Sequence, residues 1–298
     1  MLFRSLAAAA ALLAVCTPVA AQDLDLRAQV AAFVQPSNVD RAIQAAAQLR
    51  AAGFDPVMED FMGGRRDRPL AGRNIVATIG DGPREILLTA HYDAVELEPG
   101  RLSHGVVDNA ASVVAVIEAA KILRGKALNH RIRIILFDQE ELGLIGARKW
   151  IEAHGLTNVA AVVNSDVAGY GDTMMYGQNN GPQSAFVTRA VQELCAERAM
   201  QCVGYPVYPP SDDRAFSAAG APVVSLGFQD QVGAHQMWLA FNGGEANGLA
   251  EGFVPQVFRL IHSAEDTMEH VDPATVALAG EVYAAVVERL DRQLYGVD

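Results

Sequence analysis

The chain alternates between short runs of apolar, β-branched residues and longer stretches in which apolar positions recur every three or four residues. Runs of the first kind, at 74–79, 86–90, 131–137, 159–165 and 222–227, have the length and composition of strands buried on both faces. Stretches of the second kind, at 39–52, 109–124, 142–154 and 183–198, predict helices. A last helix is expected to open at Asp272-Pro273, where Asp suits the cap and Pro the first turn, and to run to Leu294. The alternation predicts an α/β fold in three layers, with a mixed, mainly parallel sheet flanked by helices. It lapses between 229 and 260, a glycine-rich stretch holding Met237, Trp238, Phe241, Phe253 and Phe258. A long irregular segment inside a compact domain is either functional or an insertion that covers apolar surface.

The N-terminus follows a different pattern. Arg4 precedes an apolar run from Leu6 to Val15, which ends in the small-residue series Thr17-Pro18-Val19-Ala20-Ala21. This reads as a secretory signal peptide over 1–21, with 22–298 as a single domain and a secreted or periplasmic destination. The run is shorter than the roughly 20 apolar residues that cross a bilayer, and no later stretch reaches that length, so no membrane span is expected. Cys16 could carry a lipid, but Val15 is bulky where a small residue should precede it. The formal charge is −12, one unit more negative once a leader holding Arg4 and no acid is removed, and no basic cluster stands out. Nucleic acid is thereby a poor partner. Cys195 and Cys202 are the two cysteines beyond the leader, and in an oxidising compartment they are either one disulfide or two buried thiols. Nothing in the sequence addresses oligomeric state.

Acidic residues and histidines stand where the predicted strands end. His91-Tyr92-Asp93 follows the second strand, Asp108-Asn109 opens a helix, Asp138-Gln139-Glu140-Glu141 follows the third strand, Asp166 follows the fourth, and His262 comes later. Open α/β sheets gather ligands at the carboxyl ends of their strands. Taken singly, each cluster is weak: His270-Val271-Asp272 is another His-x-Asp whose Asp is better explained as a helix cap. Jointly they supply five ligands, His91, Asp108, Glu141, Asp166 and His262, of the nitrogen and carboxylate types that zinc accepts. Two zinc ions would bring four charges, of which three carboxylates offset three, and a bound hydroxide would complete neutrality. One carboxylate must then be shared, and Asp108 is the candidate bridge. Asp93 is expected to accept the proton of the non-ligating nitrogen of His91. In extended backbone, neighbouring side chains face opposite ways, so Glu141 is read as ligand and Glu140 as general base.

With these residues in place, the chain resembles the co-catalytic zinc aminopeptidases of the bacterial leucyl aminopeptidase and glutamate carboxypeptidase II superfamily. The resemblance rests on Leu88-Thr89-Ala90-His91-Tyr92-Asp93, Gly105-Val106-Val107-Asp108-Asn109-Ala110, Leu136-Phe137-Asp138-Gln139-Glu140-Glu141-Leu142-Gly143, Asn164-Ser165-Asp166 and His262-Ser263-Ala264-Glu265-Asp266-Thr267. It implies the zinc exopeptidase fold, two zinc ions per chain and peptide substrates with a free N-terminus. It also implies that His91 and Asp166 hold one ion, that Glu141 and His262 hold the other, that Asp108 bridges them and that Glu140 moves the proton. It further implies that Tyr208 steadies the tetrahedral oxyanion. Where relatives often read Ser-Asp-His, this chain has Ser211-Asp212-Asp213, which is expected to make the pocket more acidic.

Glutaminyl-peptide cyclotransferases resemble the same scaffold and form the alternative reading, together with carboxypeptidases or dipeptidases. The latter would show basic residues ready for a substrate carboxylate, and Arg214 is the one that stands near the expected mouth. His104, His130, His154 and His235 lack acidic partners at ligand spacing and are read as surface or loop histidines, His235 being the one that lies in the irregular segment before His262, from where it could approach substrate.

Overall fold

The computed structural model describes residues 18–295. The expected leader, Cys16 included, lies outside them except for its last positions, which open α1 (Pro18–Ala31). In chain order there follow α2 (Asn38–Ala51), β1 (Val57–Arg65), β2 (Arg68–Ile79), β3 (Glu85–His91), the short pair β4 (Glu96–Glu98) and β5 (Arg101–Leu102), α3 (Ala111–Arg124), β6 (Arg131–Phe137), α4 (Ile145–His154) and β7 (Val159–Ser165). The second half contributes β8 (Thr173–Gly177), α5 (Ala185–Glu197), β9 (Cys202–Tyr205), α6 (Asp213–Ala218), β10 (Val223–Gln229), α7 (Gln231–Asn242), α8 (Val257–Leu260) and α9 (Pro273–Leu294).

Eight strands form one sheet in the order β1-β2-β6-β3-β7-β10-β8-β9. The central strands β6, β3, β7 and β10 run parallel, while β2 is antiparallel to β6 and β8 to β10. The expected mixed, mainly parallel sheet is therefore present. Its strands are apolar on both faces because both are covered. Ile86, Leu88 and Ala90 of β3 face one core with α3 and α9, whereas Leu87 faces a second core with Trp150 of α4 and Phe216 of α6. That alternation is the period of two that makes three layers. α3 is buried on every side over its first two turns, exposes Lys121, Ile122 and Arg124 only near its end, and packs against both the sheet and α9.

Several boundaries differ from the sequence expectation. β1, β8 and β9 are additional strands; their Gly, Met and acidic residues carry little strand propensity, and pairing with a neighbour decides them. The stretch 229–260 is not irregular throughout. Asp230 caps α7 by accepting the Gly233 N–H, and Ala234, Met237, Trp238 and Phe241 recur at helical spacing behind that cap. The glycines around them obscured the pattern. His130 is not a surface residue either: it is buried, and its ring and amide both meet Asp291 of α9. Asp272 does cap α9, with Pro273 in the first turn.

One hairpin overruns the sheet. Pairing between β2 and β6 ends at Ile75 opposite Leu136, but β2 continues back to Arg68 with β1 as its sole partner. Residues 68–74 carry this two-stranded arm beyond the last β2–β6 pair, past the carboxyl edge of the parallel strands.

Candidate metal centre

β6, β3 and β7 lie side by side, and the chain reverses its direction of travel across the sheet at β3, which is where open α/β sheets leave a crevice. His91 is the last residue of β3, Glu140 and Glu141 lie in the turn after β6, and Asp166 follows β7. Asp108 comes from the loop before α3. It does not open the helix, as its position in the sequence suggested, but sits in a wide turn, Val106–Ala110, with non-helical backbone angles. Gly105 permits that turn: at φ +57° a Cβ there would lie 2.6 Å from Ala94 Cβ.

The five expected ligands converge. His91 Nε2 lies 3.1 Å from Asp108 Oδ1 and 3.8 Å from Asp166 Oδ1. His262 Nε2 lies 3.1 Å from Asp108 Oδ2 and 3.0 Å from Glu141 Oε2. Two groups of three potential ligand atoms result, each within 4.8 Å, and Asp108 belongs to both through different oxygens. Asp108 Oδ1, Asp166 Oδ1 and Glu141 Oε1 are buried with no aligned hydrogen bond, although histidines stand close by. Buried acceptors without donors are costly, and a cation between them removes the cost. The donor set of imidazole nitrogen and carboxylate oxygen fits zinc.

Electrostatics point the same way. Burial, with Asp212, Asp166 and Glu141 nearby and opposed by His91, pushes Glu140 up to about 10. Glu141 rises to about 7 through burial and the adjacent Asp108 charge. His262 is raised to about 11 by its carboxylate partners Asp108 and Glu141. Unneutralised carboxylates crowded in low dielectric raise one another in this way, and cations would reverse it.

Asp93 does more than was expected of it. His91 Nδ1 meets the Asp93 backbone carbonyl at 3.3 Å, with the Asp93 Oδ1 at 3.4 Å, leaving Nε2 to face the other ligands, and the two carboxylate oxygens accept the N–H groups of Glu140 and Glu141. The paired glutamates therefore sit in a turn fixed by Asp93, not in extended backbone, and α4 starts only at Ile145. The reason given for their opposite facing was wrong. The two side chains nevertheless part, Glu141 meeting His262 while Glu140 lines the adjoining cavity.

Three residues beside the ligands hold left-handed backbone without being glycine: Gln139 (φ 57°), Val167 (φ 59°) and His262 (φ 56°). Such conformations cost about 1–3 kcal/mol and persist where the surroundings over-determine them. Asn109 is one restraint, joining two loops through Ser165 O and the Val167 N–H. Asp266 is another, its carboxylate accepting the Val106, Val107 and Asp108 N–H groups. Asp266 lies inside a motif quoted from the sequence, where nothing distinguished its role. Arg41 was missed altogether. It is fully buried on α2 and donates to the carbonyls of Phe33, Tyr92, His104 and Gly105, next to the Asp93, Asp266 and Asp108 charges. A helical Arg among alanines carries no sequence signal for this.

Beside the ligands opens a cavity of about 220 Å³ walled by Val167, Met175, Met237, Phe241, Phe258 and Ile261, with Asp108, Glu140, Asp166 and His262 at one end. Tyr208 also lines it, and its hydroxyl packs over Gly227 beside the Asp166 carbonyl, where a Cβ would collide at 2.9 Å and 2.5 Å. The Tyr208 ring stands edge-on to Tyr205 of β9 at 5.5 Å. Cys195 and Cys202 form a disulfide that ties β9 to α5. Asp212 and Asp213 are fully buried and do not line the cavity, so the pocket is apolar and not the acidic one expected. Arg214 donates to the Tyr208 carbonyl and is thus spent on the loop that carries Tyr208. His235 bonds its own helix at Gln231 O and is exposed, away from the ligands.

Comparison with known proteins gives the following. The profile of the family described as Peptidase family M28 matches residues 74–287. Aminopeptidase YwaD of Bacillus subtilis is 24% identical over 218 residues, which cover 71% of this chain and 42% of that protein. The chain spans less than half the length of the first curated relatives it matches. Among solved structures, a Zn-dependent exopeptidase from Parabacteroides distasonis aligns with a TM-score of 0.67 at 19% identity, covering 90% of this chain and 97% of that one. The glutaminyl cyclase of Porphyromonas gingivalis aligns with a TM-score of 0.68 at 19% identity, covering 92% and 98%. At these identities the structural likeness speaks for the fold.

Proposed function

The chain belongs to peptidase family M28, and from that premise we propose that it is a zinc-dependent aminopeptidase that releases apolar N-terminal residues from peptides. In this reading His91 and Asp166 hold one zinc ion, Glu141 and His262 hold a second, and Asp108 bridges the two. The observation that carries it is Asp108, which turns one carboxylate oxygen to His91 and the other to His262. Bound there, the zinc ions supply Lewis acidity, making water a nucleophile near neutral pH and polarising the scissile carbonyl.

The protein's own residues supply the remaining steps. Glu140, at the inner end of the cavity, accepts the proton of the attacking water and passes it to the leaving amine. Its high proton affinity without cations falls when they are bound, which brings it toward the range a general base needs. Tyr208 donates its hydroxyl to the tetrahedral oxyanion, and its burial keeps that proton in place. Asp93 orients His91 and the Glu140-Glu141 turn together. The apolar cavity takes the first side chain, while the acidic groups at its end suit a protonated N-terminal amine. Export belongs to the same proposal, supported by the residue pattern of 1–21 and the Cys195–Cys202 disulfide. Among the described residues no helix is long and apolar enough to cross a membrane.

The test is hydrolysis of a panel of aminoacyl chromogenic amides, with N-blocked versions, with and without chelator, alongside metal content. Leucyl, methionyl and phenylalanyl amides should be cleaved, blocked ones not, and about two zinc ions should be found per chain. Cleavage of blocked peptides would reject the aminopeptidase reading, and cyclisation of N-terminal glutamine would replace it with the transferase one.

A further inference from the structure

The β1–β2 arm is absent from the chemistry above, yet it stands beside it. β2 runs antiparallel to β6, so the hairpin turn lies at the carboxyl end of the parallel strands, the end that bears the ligands. The arm is also stitched to the catalytic turn. Gln139, the residue before Glu140, accepts the Gly64 N–H of β1 and donates to Leu70 O of β2, while Asp138 accepts the Arg73 N–H and Tyr92 donates to Arg73 O. Gly63 and Gly72 admit the Gln139 amide, since a Cβ on either would fall within 2.6 Å of it. Such a clamp ties the arm to the turn that carries Glu140 and leaves it little freedom to swing.

At its tip the arm reads Arg65-Arg66-Asp67-Arg68, all exposed. None of the three arginines has an ion-pair partner among the described residues, whereas Arg73 lower down is paired with Asp60. In a chain of net charge −12 this is a local excess of positive charge, and it corrects the sequence reading that found no basic cluster.

Strand order gives the excess a direction. The apolar cavity lies over β7, β10 and β8, the ligands over β6, β3 and β7, and the arm over β2 and β1. A peptide whose first side chain fills the cavity and whose first peptide bond lies at the ligands reaches the arm when its following residues run across β6 and β2. From β6 to β1 is two strand spacings, about 10 Å, and the Gly64 N–H beside Arg65 is met by the side chain of Gln139 beside Glu140, so the tip lies roughly three extended residues from the catalytic turn. Arginine guanidinium groups recognise carboxylates by paired hydrogen bonds.

We propose that the arm is a specificity element in which Arg65, Arg66 and Arg68 bind a carboxylate two to four residues downstream of the scissile bond. The substrate class is short peptides with a free C-terminus, or longer ones with an acidic residue at that distance. This rests on the aminopeptidase reading for the direction of the bound peptide.

The experiment compares Leu-Ala-Ala-Ala as free acid and as C-terminal amide, and Leu-Ala-Ala-Glu-amide against Leu-Ala-Ala-Gln-amide. Wild type is set beside the Arg65→Gln, Arg66→Gln, Arg68→Gln triple variant, whose melting temperature is checked. Wild type should prefer the carboxylate member of each pair by roughly three- to tenfold in KM, as a few exposed Arg–carboxylate pairs give, and less in high salt. The triple variant should bring that ratio near one with little change in kcat. A preference confined to the first pair assigns the arm to C-termini, and one confined to the second assigns it to acidic side chains. Equal treatment of both pairs by wild type, or an undiminished preference in the variant, overturns the proposal. Leucine p-nitroanilide is included because failure to cleave it counts against the aminopeptidase reading alone. In that event, equilibrium binding of the same peptides to both proteins, followed by fluorescence anisotropy, decides the arm: weaker carboxylate binding by the variant supports it, and equal binding overturns it.

Discussion

Asp266 accepts the Val107 N–H at 2.7 Å, and through the neighbouring amides of Val106 and Asp108 it holds the turn that presents Asp108, the carboxylate proposed to join two zinc ions. A carboxylate 158 residues downstream thus sets where Asp108 points. Asp266→Ala removes the acceptor of three buried amides. Stability should fall by about 1–3 kcal/mol and zinc affinity by about 10–100-fold. Thermal melting and competition with a chelator measure the two; unchanged affinity would detach Asp266 from the centre.

Zinc loading should be strongly pH-dependent. Without cations Glu141 is raised to about 7, Glu140 to about 10 and His262 to about 11, so these groups hold protons at neutral pH that binding must expel. Affinity should therefore rise with pH and be lost as pH falls through 7 and below. Calorimetric titration of the metal-free protein in buffers of different ionisation heat should register net proton release on loading. A buffer-independent heat would contradict the ligand assignment.

Glu140→Gln keeps the shape of the turn and removes the proton acceptor. Turnover of leucyl amides should drop by about 10²–10⁴-fold with zinc content unchanged. Comparable activity in this variant would remove Glu140 from the role of base.

Arg41 offsets the charges of Asp93 and Asp266 from a fully buried position. Arg41→Met leaves four carbonyls and those carboxylates without it, and should cost about 3–5 kcal/mol. Chemical denaturation reads this directly. A loss below 1 kcal/mol would mean that the surroundings relax around the missing cation.

The Cys195–Cys202 disulfide closes a small loop between residues seven apart in sequence. Replacing both cysteines by serine should lower stability by roughly 2 kcal/mol on the chain-entropy account. Because β9 carries Tyr205 against Tyr208, kcat should fall more than KM rises. Equal kinetics in the two forms would show that Tyr208 is held by its own loop alone.

Much of this was legible before any coordinates. The strands ending at His91, Phe137 and Ser165 announce themselves as apolar runs, because a strand covered on both faces has few polar positions. Residues that interrupt such runs stand out, which is why the five converging side chains could be picked from spacing and type. The stretch 229–260 and the strands β1, β8 and β9 were less legible, since glycine and methionine there obscure periodicity and pairing decides the outcome. The apolar character of the pocket was missed for a related reason: Asp212 and Asp213 are acidic in sequence but buried, so neither lines the cavity, although Asp212 stands close enough to Glu140 to raise it.

The sequence by itself determined the layered α/β architecture and the inventory of nitrogen and oxygen donors, because both follow from local pattern and residue chemistry. Tertiary structure alone decided that one oxygen of Asp108 meets His91 and the other His262, that Arg41 and Asp266 brace the loops between them, and that an arm tipped with three arginines is stitched to the turn of Glu140. Those relations join residues tens to hundreds of positions apart, and no local preference encodes a distance that only the packing of separate elements creates.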